Sequence, residues 1–466
     1  MRHTPLVADT GVASVIGGTH IAGRRLNLPI EVRELVGAQP YTRDAQPVQA
    51  SDHEEVVLLV VHAADIHLDS PLRGLDRIGD DHAQELRRST RRALENLVDV
   101  TLRRGADLLV IAGDLYDGSW HDFGTGQFFI EQMVLLRDAG VPVVIASGNH
   151  DAESQITRSL TLPSGIHLLA TDKPETITFD DLGAAVHGQG YAIRDVQDNL
   201  AAAYPNRIPE LFNIGVLHTA ATGAPQHDTY APCSIADLQA LRYDYLALGH
   251  IHQRGPVVEG EFPAHFSGNI QGRNPRETGA KGALLVELEQ GSPARVTFEE
   301  LDVARWDRIE LNADGVAAYE DLIDITRERM RQTVQAAQAR KVIVRVEVTG
   351  TTKLACRLAD DSWLHAEMTA LATDTGVILD KVTARVQQPP PPDPGAQRLR
   401  EAVAQVASGL AGDDARNVLN ALDREIRDVA RGAVGNVLDW SDPAALQDLL
   451  DRAHDVLDAR LGDRAS

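Results

Sequence analysis

The chain has 466 residues, 43% hydrophobic, 24% charged and 4% aromatic, a balance that excludes a largely disordered chain and a small cross-linked scaffold and allows two or three domains. Its 45 Lys and Arg against 68 Asp and Glu leave a formal net charge of −23, so it cannot coat nucleic acid through an overall positive field, and any DNA contact must be local. Cys233 and Cys356 form no CxxC pair, which gives no support to a thiolate metal site or a disulfide framework and suits a reduced, cytoplasmic setting.

Residues 1–54 show no sustained periodicity and read as a poorly ordered leader. The apolar run 56–64 is interrupted by His62 and falls far short of the ~20 residues that a membrane helix needs, so no transmembrane segment is expected. From Val56 onward β-branched runs alternate with amphipathic stretches, the pattern of an α/β domain over 55–301. Strands are predicted at 56–61, 108–112, 141–146, 212–217 and 245–248, with helices at 84–103 and 126–138. Later strands at 265–267, 283–289 and 295–301 are expected to complete a second sheet. A separate α/β module over 302–386 has a strand at 306–311, a helix at 315–340, a strand at 342–348 with outward charges, then another helix and strand. Prolines at 389–392 and 394 make 387–395 a stiff linker, and the tail 396–466 carries apolar residues at helical spacing.

Five apolar runs end in metal-competent residues: Asp65 and His67, Asp114, Asn149 with His150 and Asp151, His218, and His250 with His252. Ligands of α/β sheets bind outside the carboxyl ends of strands, so these ends can share one crevice. Residues two apart on an extended chain point the same way, which would let Asp65 and His67, or His250 and His252, clamp one ion. Glycines at 113, 148 and 249 allow a sharp turn before each ligand. Imidazole, carboxylate and amide oxygen without thiolate suit Mn²⁺, Fe or Zn²⁺. There are too many candidate ligands for one tetrahedral ion, and a carboxylate shared by two ions divides the set in the manner of two-metal phosphoester chemistry.

The blocks D-x-H, G-D, G-N-H-[DE], a lone His and G-H-x-H, in that order between Asp65 and His252, resemble the calcineurin-like metallophosphoesterases. Within them, Asp65-Ile66-His67-Leu68-Asp69-Ser70, Gly113-Asp114-Leu115-Tyr116-Asp117 and the stretch from Ser267-Gly268-Asn269 through Arg273-Asn274-Pro275-Arg276-Glu277 are similar to the SbcD/YhaO-like DNA repair exonucleases. The resemblance implies a β-sandwich flanked by helices, a small α/β capping domain and a C-terminal helical tail. It further implies two divalent ions, Mn²⁺ foremost, with Asp65, His67 and His252 on one, Asn149, His218 and His250 on the other, and Asp114 bridging. His150 would be no ligand but the acid that protonates the leaving 3′ oxygen, and no Ser or Cys nucleophile is required. Related nucleases often carry His where Asp117 stands, a departure that bears on substrate positioning.

The function so implied is a metal-dependent DNA exonuclease or endonuclease of DNA repair, acting with an SMC-like ATPase that the tail would dock; a homodimer is compatible with it. The rival is a small-molecule or nucleotide phosphodiesterase on the same metal site, favoured by the negative net charge, and a scaffold that keeps its metals only for stability would not need His150. No GxxxxGK[ST] occurs, so the chain is not expected to hydrolyse ATP. His62 reads as a core or supporting histidine, and His187 and His365 as surface residues. Asp69 and Asp151 can orient imidazoles or solvate loops, and Arg273 and Arg276 can contact phosphate or cap a loop.

Overall fold

The computed structural model describes residues 57–70, 86, 88–117, 123–153, 161–221 and 230–389; the predicted leader, the Pro-rich linker from 390 and the helical tail lie outside them. Strand β1 (Val57–Ala63) leads to helix α1 (Ser89–Arg104), β2 (Leu108–Ala112), α2 (Phe123–Asp138), β3 (Val143–Ala146) and β4 (Ile166–Leu168). These four strands run parallel, with α1 and α2 forming the crossovers from β1 to β2 and from β2 to β3. There follow β5 (Glu175–Phe179), β6 (Ala184–Gly188), β7 (Phe212–His218), α3 (Ile235–Leu241), β8 (Tyr245–Gly249), β9 (Gly255–Val258) and β10 (Ala264–Phe266), which make a second sheet in the order β5-β6-β7-β8-β10-β9.

The late strands depart from expectation. β11 (Gly282–Glu289) and β12 (Arg295–Glu300) extend the first sheet, not the second, because β11 pairs antiparallel with β1 from Val57 opposite Glu289 to His62 opposite Leu284. Only β10 of the predicted trio joins the second sheet. β4, β5, β6 and β9 were not predicted; they are short, and β6 is rich in Ala and Gly, which carry little strand signal.

The two sheets face one another. Leu58, Val60, Val110, Val144, Ile214, Val216 and Ala247 form one core between them. On the outer side of the first sheet, Val61, Leu109 and Ile111 pack with Leu94, Leu97, Phe129 and Met133 of α1 and α2. Burial on both faces explains why β2 reads as an unbroken apolar run and β1 as one broken only by His62. His62 shares the inward face with Leu58 and Val60, where its Nδ1 lies 2.9 Å from the Tyr245 hydroxyl. It is a core histidine, and burial lowers its pKa to about 3.

A third sheet, all parallel, follows in the order β13 (Ala304–Asn312), β14 (Lys341–Thr351), β15 (Ile378–Gln387). Helices α4 (Tyr319–Ala337), α5 (Ala355–Leu358) and α6 (Asp361–Thr375) cover one face with Leu322, Met330, Leu364 and Met368. Trp306 of β13 ties this sheet to the loop after β10, donating from Nε1 to the Gly272 carbonyl at 3.2 Å. Among the described residues no helix is long and apolar enough to cross a membrane.

Candidate metal centre

The carboxyl ends of β1, β2 and β3 in the first sheet and of β7 and β8 in the second carry the predicted residues to one place. Asp65, His67 and Asp114 stand just past their strands with φ of 50°, 45° and 52°, and His250 has φ of 101°. Each such non-glycine residue costs ~1–3 kcal/mol and persists only where its surroundings enforce it. Here Asp65 N–H donates to the Gly113 carbonyl at 3.0 Å and His67 N–H to the Asp114 carbonyl at 2.9 Å, carrying the β1–β2 pairing beyond the strands. Asp65 and His67 do face the same site, but through these left-handed kinks and not through an extended chain. Gly113, with φ of 93°, permits the second kink and leaves room for the His218 ring, which a Cβ would strike.

Two predicted ambiguities resolve structurally. Asp151 accepts from the N–H groups of Leu115, Tyr116 and Gly148 at 3.1, 2.9 and 2.9 Å, clamping the β2 loop to the β3 loop. Burial, then the Asp114 charge, raise its pKa to about 7. Asp69 takes Arg91 and the Thr125 hydroxyl, joining α1 to α2. Neither orients an imidazole. His187, expected at the surface, is fully buried in β6, bonded to Thr176 and Asn213 and stacked on Tyr243.

Tautomers follow from the outer ring nitrogens. His252 Nδ1 donates to Glu277 Oε1 at 2.9 Å, His218 Nδ1 to the Ala112 carbonyl at 3.0 Å, and His67 Nδ1 lies 3.5 Å from Asp117 Oδ1. The lone pairs of His252 and His218 are then on Nε2, while the buried His67 Nδ1 has no hydrogen bond to fix its tautomer, and the three Nε2 atoms converge. His67 Nε2 is 3.3 Å from His252 Nε2 and 3.7 Å from Asp114 Oδ2. His218 Nε2 is 3.5 Å from Asp114 Oδ2 and 2.9 Å from Asn149 Oδ1, while His252 Nε2 is 3.9 Å from Asp65 Oδ1. Acceptors facing acceptors inside a buried pocket are stabilised by cations, and an outer carboxylate behind a ligating imidazole is the usual support for one. These residues therefore fit divalent metal ions.

Electrostatics agree with that fit. Burial and then the Asp114 charge push the Asp65 carboxyl well above its usual range. Burial would raise Asp114 too, but the His218, His67 and His150 rings hold it at about 2. Burial and the Arg273 charge lower His67 to about 3.

Compact groups form from Asp65, His67 and His252, from Asp65, Asp114 and His218, and from His67, Asp114 and His150, with candidate ligand atoms within 4.8 Å of one another in each. His250 belongs to none of the three: its N–H donates to both Asp65 oxygens at 3.1 Å, and its ring stands edge-on to His218 at 5.2 Å between centroids. His150 is near enough to be a ligand, yet its Nδ1 is engaged by Asp117 Oδ1 at 3.0 Å. Burial alone would lower the His150 pKa, and the Asp117 hydrogen bond with the Asp114 and Asp117 charges outweighs it, raising the pKa above its ordinary value. Sequence reasoning did not assign roles to Asp117 or Glu277. Asp117 also accepts from the Ser70 hydroxyl at 2.7 Å, and Glu277 also from Asn269, Asn274 and its own loop.

The calcineurin-like phosphoesterase model matches residues 58–254, and that of the metallophosphoesterase YhaO middle domain matches residues 306–387. The chain is 31% identical over 301 residues to the uncharacterized metallophosphoesterase YhaO of Bacillus subtilis (strain 168), covering 63% of this chain and 72% of that protein. It is 26% identical over 312 residues to the DNA double-strand break repair protein Mre11 of Methanopyrus kandleri, covering 61% of this chain and 64% of that one. With one polypeptide of the nuclease SbcCD of Staphylococcus saprophyticus it shares 24% over 264 residues, 49% of this chain and 65% of that polypeptide. The sandwich, the strand-end cluster and these matches together make the chain a member of the calcineurin-like phosphoesterases, a family of divalent-metal phosphoester hydrolases.

Proposed function

We propose that this chain is a metal-dependent DNA exonuclease or endonuclease of DNA repair that works with an SMC-like ATPase. In this reading Asp65, His67 and His252 hold one ion, Asn149, His218 and His250 hold another, and Asp114 lies between. The observation that carries it is the convergence of three Nε2 atoms on two buried carboxylates. Similarity to a double-strand break repair protein and to part of a nuclease supports DNA as the substrate. A ligand set of nitrogen and oxygen without thiolate suits Mn²⁺, Fe or Zn²⁺, and the resemblance to the repair exonucleases puts Mn²⁺ first among them. Bound ions supply positive charge to phosphoryl oxygens and lower the pKa of water.

The chain's own contribution centres on His150. With Nδ1–H held by Asp117, the transferable proton of the imidazolium sits on Nε2 and goes to the leaving 3′ oxygen. The Asp117 carboxylate, fixed by Ser70, favours the imidazolium before transfer and holds the ring while the proton leaves. Residues 302–386 serve as a cap over the DNA, and the tail from 396 as the ATPase docking element. The net charge of −23 favours the second reading, a small phosphodiester on the same site.

Protein supplied with Mn²⁺ is to be given an end-labelled duplex, a single strand and bis-p-nitrophenyl phosphate, beside the Asp114→Asn variant. Cleavage of DNA by wild type, with the variant inactive and holding well under two ions per chain, is the expected result. Two ions retained in the variant would reject the ligand assignment. Turnover of only the small ester would reject DNA in favour of the second reading.

A further inference from the structure

We infer that Arg273 anchors the substrate, its guanidinium holding a non-bridging oxygen of the phosphodiester beside the metal ligands. The inference rests on the phosphoesterase reading of the site and adds a residue to it.

Arg273 lies on the loop between β10 and β11, which is held from both sides. Gln271 accepts from the N–H groups of Val303 and Ala304, Trp306 donates to the Gly272 carbonyl, and Lys281 Nζ donates to the His252 carbonyl at 2.9 Å. The Arg273 N–H donates to Glu277 Oε2 at 2.7 Å, so the residue that positions the His252 ring also positions Arg273.

Its guanidinium is under-used. Nη1 donates to the Ser70 hydroxyl at 3.2 Å, Nη2 lies 3.7 Å from Glu277 Oε1, beyond hydrogen-bond reach, and Nε is buried without an acceptor. A guanidinium has five N–H donors, and one is engaged. Glu277 does not require the guanidinium, since His252, Asn269, Asn274 and the Arg273 N–H already donate to it. Other arginines of the fold are consumed by carboxylates: Arg91 by Asp69, Arg305 and Arg340 by Asp302, Arg345 by Asp380.

Location supplies the rest. Through Ser70, Arg273 connects to Asp117 and so to His150; through Glu277 it connects to His252. The side chain is 15% exposed, so it is ordered in advance yet reachable. A planar fork with spare donors matches a phosphoryl group better than an ammonium does.

The test compares wild type, Arg273→Gln and Arg273→Lys, each loaded with Mn²⁺. Measured are bound metal, inorganic phosphate affinity by calorimetry, kcat and KM for bis-p-nitrophenyl phosphate, and cleavage of an end-labelled DNA duplex. Arg273→Gln should keep the metal, weaken phosphate binding by ~10- to 100-fold and raise KM in step. Arg273→Lys should recover part of the affinity, keeping the charge but not the fork. Phosphate affinity unchanged in Arg273→Gln, metal lost in both variants, or wild type that binds no phosphate would each overturn the proposal. Wild type that binds phosphate through Arg273 yet cleaves no DNA would reject the nuclease and leave the anchor standing.

Discussion

The strand-end cluster and the third sheet handle charge in opposite ways. At the cluster, two carboxylates and three imidazole Nε2 atoms face one another, and four residues, Asp65, His67, Asp114 and His250, adopt positive φ. Among the described non-glycine residues beyond 302, only Gln338 does so. In and beside the third sheet, Arg308 meets Glu347 at 2.7 Å, Arg345 meets Asp380 at 2.6 Å, and Arg305 and Arg340 share Asp302 and Glu300. Strain with unsatisfied acceptors marks where a ligand completes the structure, whereas satisfied pairs mark where the chain completes itself.

The sharpest break in that contrast falls on His150, which stands within ligand distance of His67 and Asp114 but is engaged by Asp117. His150→Gln keeps a polar side chain and removes the transferable proton. We expect kcat on end-labelled DNA to fall by ~10²–10⁴-fold, with a much smaller loss on bis-p-nitrophenyl phosphate, whose nitrophenolate leaves without a proton, while metal content measured by mass spectrometry is unchanged. An ion lost along with activity would move His150 into the ligand set.

On the other side of the comparison, Asp302→Ala tests whether satisfied pairs hold the structure. Its side chain is fully buried and receives Arg305 and Arg340, whose own side chains are 10% and 17% exposed. Removing it leaves Glu300, which is 34% exposed, as the carboxylate both guanidinium groups share, beside the backbone carbonyls of Asp302 for Arg340 and Ala336 for Arg305. Stripping one partner from a buried ion pair costs ~3–5 kcal/mol, and partial exposure of Glu300 puts this case at the lower end. Urea denaturation reads the change directly; a midpoint equal to that of wild type would show that the network contributes nothing.

Much of the site could be read because its residues come in short blocks at strand ends, where sequence and space coincide. Asp65, His67, Asp114, Asn149 and His218 stand where apolar runs stop, and any such run must end at a sheet edge. Glu277 and Asp117 were harder because their roles exist only across the fold. Glu277 reaches His252 from 25 positions away, and Asp117 reaches His150 from a different strand end. The placement of β11 and β12 failed for a related reason: an apolar strand states that it is buried, not which neighbour it takes. His187 looked like a surface residue because neither Asn213 nor Tyr243, its partners, is near it in sequence.

The mildest change is Arg308→Ala, on the open face of the third sheet. Arg308 is 50% exposed and Glu347 29%, so water and salt screen their attraction, and such pairs contribute ~0.2–1 kcal/mol. Register sets a second influence against even that. Arg308 lies opposite Arg345, which lies opposite Lys381, so three cations stand side by side across the strands. Like charges in register repel, and removing Arg308 relieves that repulsion while releasing Glu347 beside Glu310. The two influences nearly cancel, and urea denaturation should show a shift of less than ~0.5 kcal/mol that shrinks further in ~0.5 M salt, where screening acts within a few ångströms. A loss comparable to that of Asp302→Ala would mean that exposed pairs stabilise this sheet as strongly as the buried network, and the contrast would no longer separate burial from charge.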